Sequence, residues 1–148
     1  MAHKEFTLPS GAKFFVTMAP FEDACVLRDA VIKEVRGQGI TIPQRALEKD
    51  IESWKEDTEL MSIFLDKIMA VAASREVKDA IFRCFERCKY NEVKVSKDLF
   101  NDPKLEEQAR EDYYPMCMRV MEVNLKPFFK KVSSLLGAPL RTATASQG

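Results

Sequence analysis

Two prolines interrupt the longest apolar-rich stretch of this chain, and any fold must accommodate both. The stretch runs from Glu111 to Leu136. Within it Cys117, Val120, Met121, Leu125, Phe128, Val132 and Leu135 recur at steps of three or four, the period of a helix with one buried face. Tyr113, Tyr114, Met118 and Phe129 fall off that stripe. The helix therefore either lies centrally among other helices or offers a second face to a partner. Pro115 suits a first helical turn if Asp112 is the cap, because the N–H it lacks has no helical partner there. Pro127 lies mid-helix, removes a backbone bond and is expected to kink the helix. Asn124 is expected to bond the carbonyl that Pro127 frees, a structural role.

The rest of the chain supplies what this helix can pack against. Phe6–Leu8 and Phe14–Met18 alternate in strand fashion around Pro9-Ser10-Gly11. Pro9 presets the turn's first central φ and Gly11 can take a left-handed position, so a β-hairpin is expected over 4–18. Such a hairpin is marginal alone and must pack on the helices. Pro20 opens a helix with Glu22 and Asp23 in its first turn. Ala24, Leu27, Val31 and Val35 form its buried stripe, flanked by Cys25 and Ile32, and Gly37 and Gly39 end it. A peripheral helix with a thin stripe of Leu47, Ile51 and Trp54 is expected over 44–57. A dense apolar helix follows from Leu60, through Met61, Ile63, Phe64, Leu65, Ile68, Met69 and Val71, to about Ala73.

Ser74 is a plausible N-cap for a helix over 75–89, with Val77, Ile81, Cys84 and Cys88 on one face. Val93 and Val95 alternate with lysines and suggest a short strand. Asn101-Asp102-Pro103 reads as a turn and helix start. Residues 104–111, mostly polar, read as a short surface helix or loop. The fold class is mainly α: one helical domain over 1–136, with a short N-terminal β-hairpin and helices over 20–136. Residues 137–148, small and polar, are expected to be a disordered tail.

Composition narrows the function. The 148 residues carry 23 basic and 23 acidic side chains, a formal net charge of +0. A protein holding nucleic acid through bulk charge would be clearly basic, so no nucleic acid is expected as a partner. No apolar run approaches the roughly 18 residues a membrane span needs. Met-Ala-His-Lys-Glu carries no apolar leader, and Cys25, Cys84, Cys88 and Cys117 therefore read as reduced thiols of a cytosolic protein.

Catalytic signatures are sparse. Cys84 and Cys88 stack one turn apart, which admits a thiol-dependent enzyme. Small buried hydrophobes explain both equally well. His3 is the single histidine, which disfavours a nucleophile–histidine pair and a zinc site. The five glycines form no phosphate loop. Glu106, Glu107, Glu111 and Asp112 cluster, with Lys104 and Arg110 interleaved, as a solvated helix face does. No catalytic residue, metal or cofactor is therefore expected. Met116, Met118 and Met121 share a helix with Phe128 and Phe129; they either fill an irregular core or form an adaptable partner groove.

The order of several phrases carries a resemblance. Phe6-Thr-Leu-Pro-Ser-Gly11 leads to Ala19-Pro-Phe-Glu-Asp-Ala24. Arg83-Cys-Phe-Glu-Arg-Cys-Lys-Tyr-Asn91 precedes Lys97-Asp-Leu-Phe100. Arg110-Glu-Asp-Tyr-Tyr-Pro115 runs into Val123-Asn-Leu-Lys-Pro-Phe-Phe129. This layout resembles the tail assembly chaperones of long-tailed bacteriophages and prophages, over most of residues 5–136. The resemblance implies a largely helical, non-enzymatic protein of the host bacterial cytoplasm, absent from the mature virion. Such a protein binds the tape-measure protein, keeps it soluble and helps tail-tube protein polymerise around it. A frameshifted longer form sharing the N-terminal domain is a further implied partner. The off-stripe set Tyr113, Tyr114, Met118 and Phe129 is the expected partner-binding surface, shaped by the bend at Pro127. Pairing through an exposed hairpin edge makes a homo-oligomer the expected assembly. The alternative reading is a structural minor tail or head–tail joining protein of the virion.

Overall fold

A computed structural model of the chain describes residues 3–39 and 58–128. The expected helix over 44–57, the tail over 137–148, Phe129 and the side chains of Leu60, Met61, Ile63, Phe64 and Leu65 lie outside the described set. The expected mainly helical fold with an N-terminal strand pair is what the chain adopts.

The hairpin consists of β1 (His3–Thr7) and β2 (Lys13–Thr17), paired antiparallel with His3 opposite Thr17 and Thr7 opposite Lys13. Its five-residue loop is closed by two backbone bonds, Leu8 N–H to Ala12 O and Gly11 N–H to Leu8 O. Gly11 takes φ +94°, a region that side chains bearing a Cβ rarely adopt. The alternation puts Phe14 and Val16 inward, both buried, and Lys13, Phe15 and Thr17 outward.

The hairpin does not stand alone. Two short strands that follow the third helix, β3 (Lys89–Tyr90) and β4 (Val93–Lys94), extend it to a four-stranded antiparallel sheet in the order β1-β2-β3-β4. Lys89 was expected to end a helix, and here it pairs with Phe15 while Tyr90 pairs with Phe14. The reason is Asn91. Its φ of +53° makes the tight turn, its N–H donates to Lys13 O at 2.6 Å, and its side-chain oxygen accepts from Lys13 N at 2.9 Å. Asparagine tolerates this left-handed backbone better than other residues with a Cβ.

Four α-helices are described. Helix α1 (Phe21–Gly37) begins after Pro20, and its expected stripe of Ala24, Leu27, Val31 and Val35 is buried, joined by Ala30. Helix α2 (Thr58–Ala72) buries Ile68, Val71 and Ala72 and leaves Met69 exposed. Helix α3 (Arg75–Phe85) starts at Ser74, whose Oγ accepts from Val77 N at 3.3 Å, and stops four residues short of the expected Lys89. Cys88 remains buried although it lies past the helix end. Val77, Ala80, Ile81, Cys84 and Phe85 form the inner face, and Phe85 meets Phe14 edge to face at 6.2 Å.

The largest correction concerns the last helix. Helix α4 runs unbroken from Glu106 to Leu125, so the expected surface piece over 104–111 is its first part. Asp112 is therefore not a cap, and Pro115 is interior rather than in the first turn. A proline there supplies no N–H to the Glu111 carbonyl, a loss the packing of the helix must offset. The α-helix ends before Pro127, which sits in a 3-10 turn, Lys126–Phe128. Asn124 does not serve the carbonyl freed by Pro127. Its Nδ2 donates to Val120 O and its Oδ1 accepts from Ala19 N, each at 2.9 Å. That buried pair ties the entry to α1 onto α4.

Asp112 is fully buried and pins the hairpin loop to the first half of α4. Ser10 donates to it twice, from its N–H at 3.1 Å to Oδ1 and from its hydroxyl to Oδ2, and the Tyr90 hydroxyl donates to Oδ2 at 2.7 Å. Replacing Asp112 by Ala strips three donors of their shared acceptor. Urea unfolding should show a loss of about 3 kcal/mol, and Tyr90→Phe a loss of about 1 kcal/mol. A change under about 0.5 kcal/mol for Asp112→Ala would mean that the loop is held by its apolar contacts alone.

Candidate partner-binding surface

The helical period of α4 sorts its side chains into two faces. Ala109, Asp112, Met116, Cys117, Val120, Met121 and Asn124 turn inward and are buried. Glu111, Tyr114 and Met118 turn outward, with Tyr114 and Met118 one turn apart, while Glu122 on the same side is paired with Arg119 at 3.1 Å and largely covered. Tyr114 is 36% exposed and Met118 half-buried. These two of the four expected partner-binding residues therefore share one accessible strip.

Tyr113 does something else. It is half-buried in an aromatic cluster built by three elements: Phe82 of α3, Phe100 of the 3-10 turn Lys97–Asn101, and Tyr113 and Tyr114 of α4. Tyr113 stacks on Phe82 at 6.2 Å and meets Phe100 and Tyr114 edge-on at 5.3 and 5.1 Å. Lys97 places its ammonium 5.6 Å from the Phe82 ring. Arg110 holds the 3-10 turn against α4, donating to Phe100 O at 3.0 Å and to Asn101 Oδ1 at 3.3 Å. The cluster thus fixes the position of Tyr114 and gives the outer strip a rigid aromatic base. Tyr113 belongs to that base more than to the strip itself.

The Tyr113 hydroxyl is buried and makes no hydrogen bond of normal geometry among the described residues. Burial pushes its pKa above the ordinary tyrosine range, and the neighbouring Cys117 thiol adds to the rise.

A second apolar patch escaped the sequence reading. Phe21, at the first position of α1, is 72% exposed and lies 6.1 Å from the Phe128 ring, which carries the Arg28 guanidinium at 4.9 Å. Met18 is exposed as well. Phe21 lies outside the buried stripe of α1, a signal the sequence does hold. Only the fold brings it to the end of α4.

The cysteines do not converge into a reactive centre. Burial pushes Cys84, Cys88 and Cys117 up to about 12, with the Asp23 carboxyl adding to the rise at Cys84. The Cys88 thiol faces the Cys84 carbonyl at 3.6 Å. Thiols held this far above neutrality are protonated and poor nucleophiles. Among the described residues no group of three His, Cys, Asp or Glu side chains is placed to hold a metal ion, and no helix is long and apolar enough to cross a membrane.

Comparison with known proteins adds one finding. A family model described as "Phage tail assembly chaperone protein, TAC" matches residues 27–137, well over half of the chain. No curated protein and no solved structure matches. The match begins inside α1 and takes in Tyr113, Tyr114, Met118 and Phe129, while β1 and β2 precede it.

Two outcomes follow from this geometry. Tyr113→Phe removes an unpaired buried hydroxyl and keeps the ring contacts, so thermal and urea unfolding should show unchanged or higher stability, by up to about 1 kcal/mol. For the thiols, the folded protein keeps protons on Cys84, Cys88 and Cys117 that the unfolded chain releases above its ordinary thiol pKa. Their stabilising contribution is complete below about pH 8.5 and is lost as pH rises towards about 12. Urea midpoints measured from pH 7 to pH 11 should fall across that window, and iodoacetamide at pH 8 should modify half-buried Cys25 well before the other three.

Proposed function

The chain belongs to the phage tail assembly chaperone family, and from that premise we propose that it binds the tape-measure protein, keeps it soluble and promotes polymerisation of tail-tube protein around it. The family match carries this reading. The outer strip of α4 supports it. A long helical polymer with apolar seams needs a holder whose groove accepts many registers, and helix-in-groove contacts made by adaptable side chains meet that need.

Tyr114 and Met118 supply such contacts on a base held by Tyr113, Phe82 and Phe100. Tyrosine gives rigid, amphipathic contact area and methionine gives a side chain that re-packs. Phe129 is a further contact in the same reading. The activity is stoichiometric binding rather than turnover. It places the protein in the host bacterial cytoplasm during assembly and outside the finished virion. A frameshifted longer form would engage the same surface if it shares this domain. Self-association would add avidity along the polymer.

Co-expression with the tape-measure protein tests the reading. The tape-measure protein should be insoluble alone, soluble with this chain, and retained with it on a tagged pull-down. Tyr114→Ala with Met118→Ala should weaken retention by about tenfold or more, as loss of two central contacts does at an interface, while leaving the melting temperature within a few degrees. Indifference of the tape-measure protein to this chain would overturn the proposal. Stoichiometric presence in purified particles would favour a structural tail protein instead.

A further inference from the structure

The sheet has a second face, and its side chains do not serve the core. Register places Glu5 opposite Phe15, Phe15 opposite Lys89 and Lys89 opposite Lys94, one row of outward side chains across all four strands. Lys89 and Lys94 are both exposed and directly opposed, and neither forms an ion pair among the described residues. Like charges placed directly across a strand pair destabilise the sheet. Lys13, in the next row, donates to the Thr7 hydroxyl at 2.8 Å and forms no ion pair among the described residues. His3 packs edge-on against Phe15 at 5.6 Å. A row that lowers the stability of the fold and gains nothing inside it is where a binding role is to be sought.

We propose that this solvent face binds an acidic amphipathic helix of a partner protein, with Lys89 and Lys94 facing its carboxylates and Phe15 taking an apolar side chain one turn further on. Spacing supports the occupant. Residues opposed across antiparallel strands are about 5 Å apart, and the next strand lies about 4.8 Å further along the row. Carboxylates at i and i+4 on a helix are about 5 to 6 Å apart, and an apolar residue at i+7 or i+8 continues the line. Two acids one turn apart repel each other in the free helix, so docking relieves both pairs of like charges together. Nucleic acid fits less well: Glu5 ends the row and the chain carries no excess of positive charge. The surface lies across the sheet from α4, so the inference is independent of the tape-measure reading.

The test uses the full chain and a fluorescein-labelled helical peptide of about 16 residues, long enough to hold helix in water, with Glu at i and i+4 and Leu at i+7. A control peptide carries Lys for Glu. Anisotropy should show binding of the acidic peptide only, weakening with salt. Amide shifts in 15N–1H spectra should centre on Phe15, Lys89 and Lys94. Lys94→Glu should weaken binding by at least about tenfold, the scale of reversing one charge in a facing pair. The same substitution should keep or raise the melting temperature, because it removes the opposed lysines. Equal binding by Lys94→Glu, equal binding of the control peptide, or shifts centred on α4 would overturn the proposal. A fall in melting temperature would show that the lysines serve the fold, which also overturns it. Displacement of the peptide by a single-stranded oligonucleotide at lower concentration would reassign the face to nucleic acid.

Discussion

The buried carboxyl of Asp112 is the interaction on which the arrangement of this protein depends. It sits in the first half of α4, fully out of water, and receives three donors from two segments distant in sequence. A buried acid without partners would be severely unfavourable, so the site specifies its surroundings: the hairpin loop must bring Ser10, and β3 must bring Tyr90. Those two requirements hold the sheet against the helices. They also join β1 and β2, which precede the family match, to the part of the chain that the match covers. Asn124 repeats the device one end further along, tying Ala19 to the same helix.

With its inner face committed to such ties and to the core, α4 has one face left for other work. Its helical period separates Tyr114 and Met118 from the buried residues, and the aromatic cluster behind Tyr113 holds them in place. Ring contacts of this kind limit how far an exposed tyrosine can move, which lowers the entropy lost when a partner docks. A side chain that re-packs beside one that does not suits a holder of a polymer with repeating but unequal segments. The same sheet that Asp112 anchors turns its other face to solvent, and there Lys89 and Lys94 stand directly opposed.

Local signals made much of the fold legible in advance. Ser74 capped a helix, Pro20 began one, Gly11 took a left-handed turn, and the stripe of Ala24, Leu27, Val31 and Val35 was buried. Each depends on residues within a few positions of one another, so sequence alone carries the information. The errors share a different cause. Asp112 has the chemistry of a cap and Pro115 the chemistry of a first turn, yet Glu106–Leu125 is one helix. Local preference lost to tertiary bonds that the sequence does not display. Lys89-Tyr90 is too short a run to mark a strand by itself, and it joined the sheet because Asn91 bonded to Lys13, 78 residues away in sequence.

For the candidate surface, the sequence determined which side chains fall off the buried stripe of α4, because the 3.6-residue period settles that without knowledge of neighbours. It also determined family membership, through the order of its phrases. The tertiary structure alone decided that Tyr113 belongs to the supporting cluster while Tyr114 and Met118 face outward, since that division rests on where Phe82 and Phe100 arrive. It alone placed Lys89 beside Lys94 and Phe15 on one face, because strand register is a long-range agreement between segments. Periodicity is written locally along a chain; which elements meet is decided only when the buried polar groups find their partners.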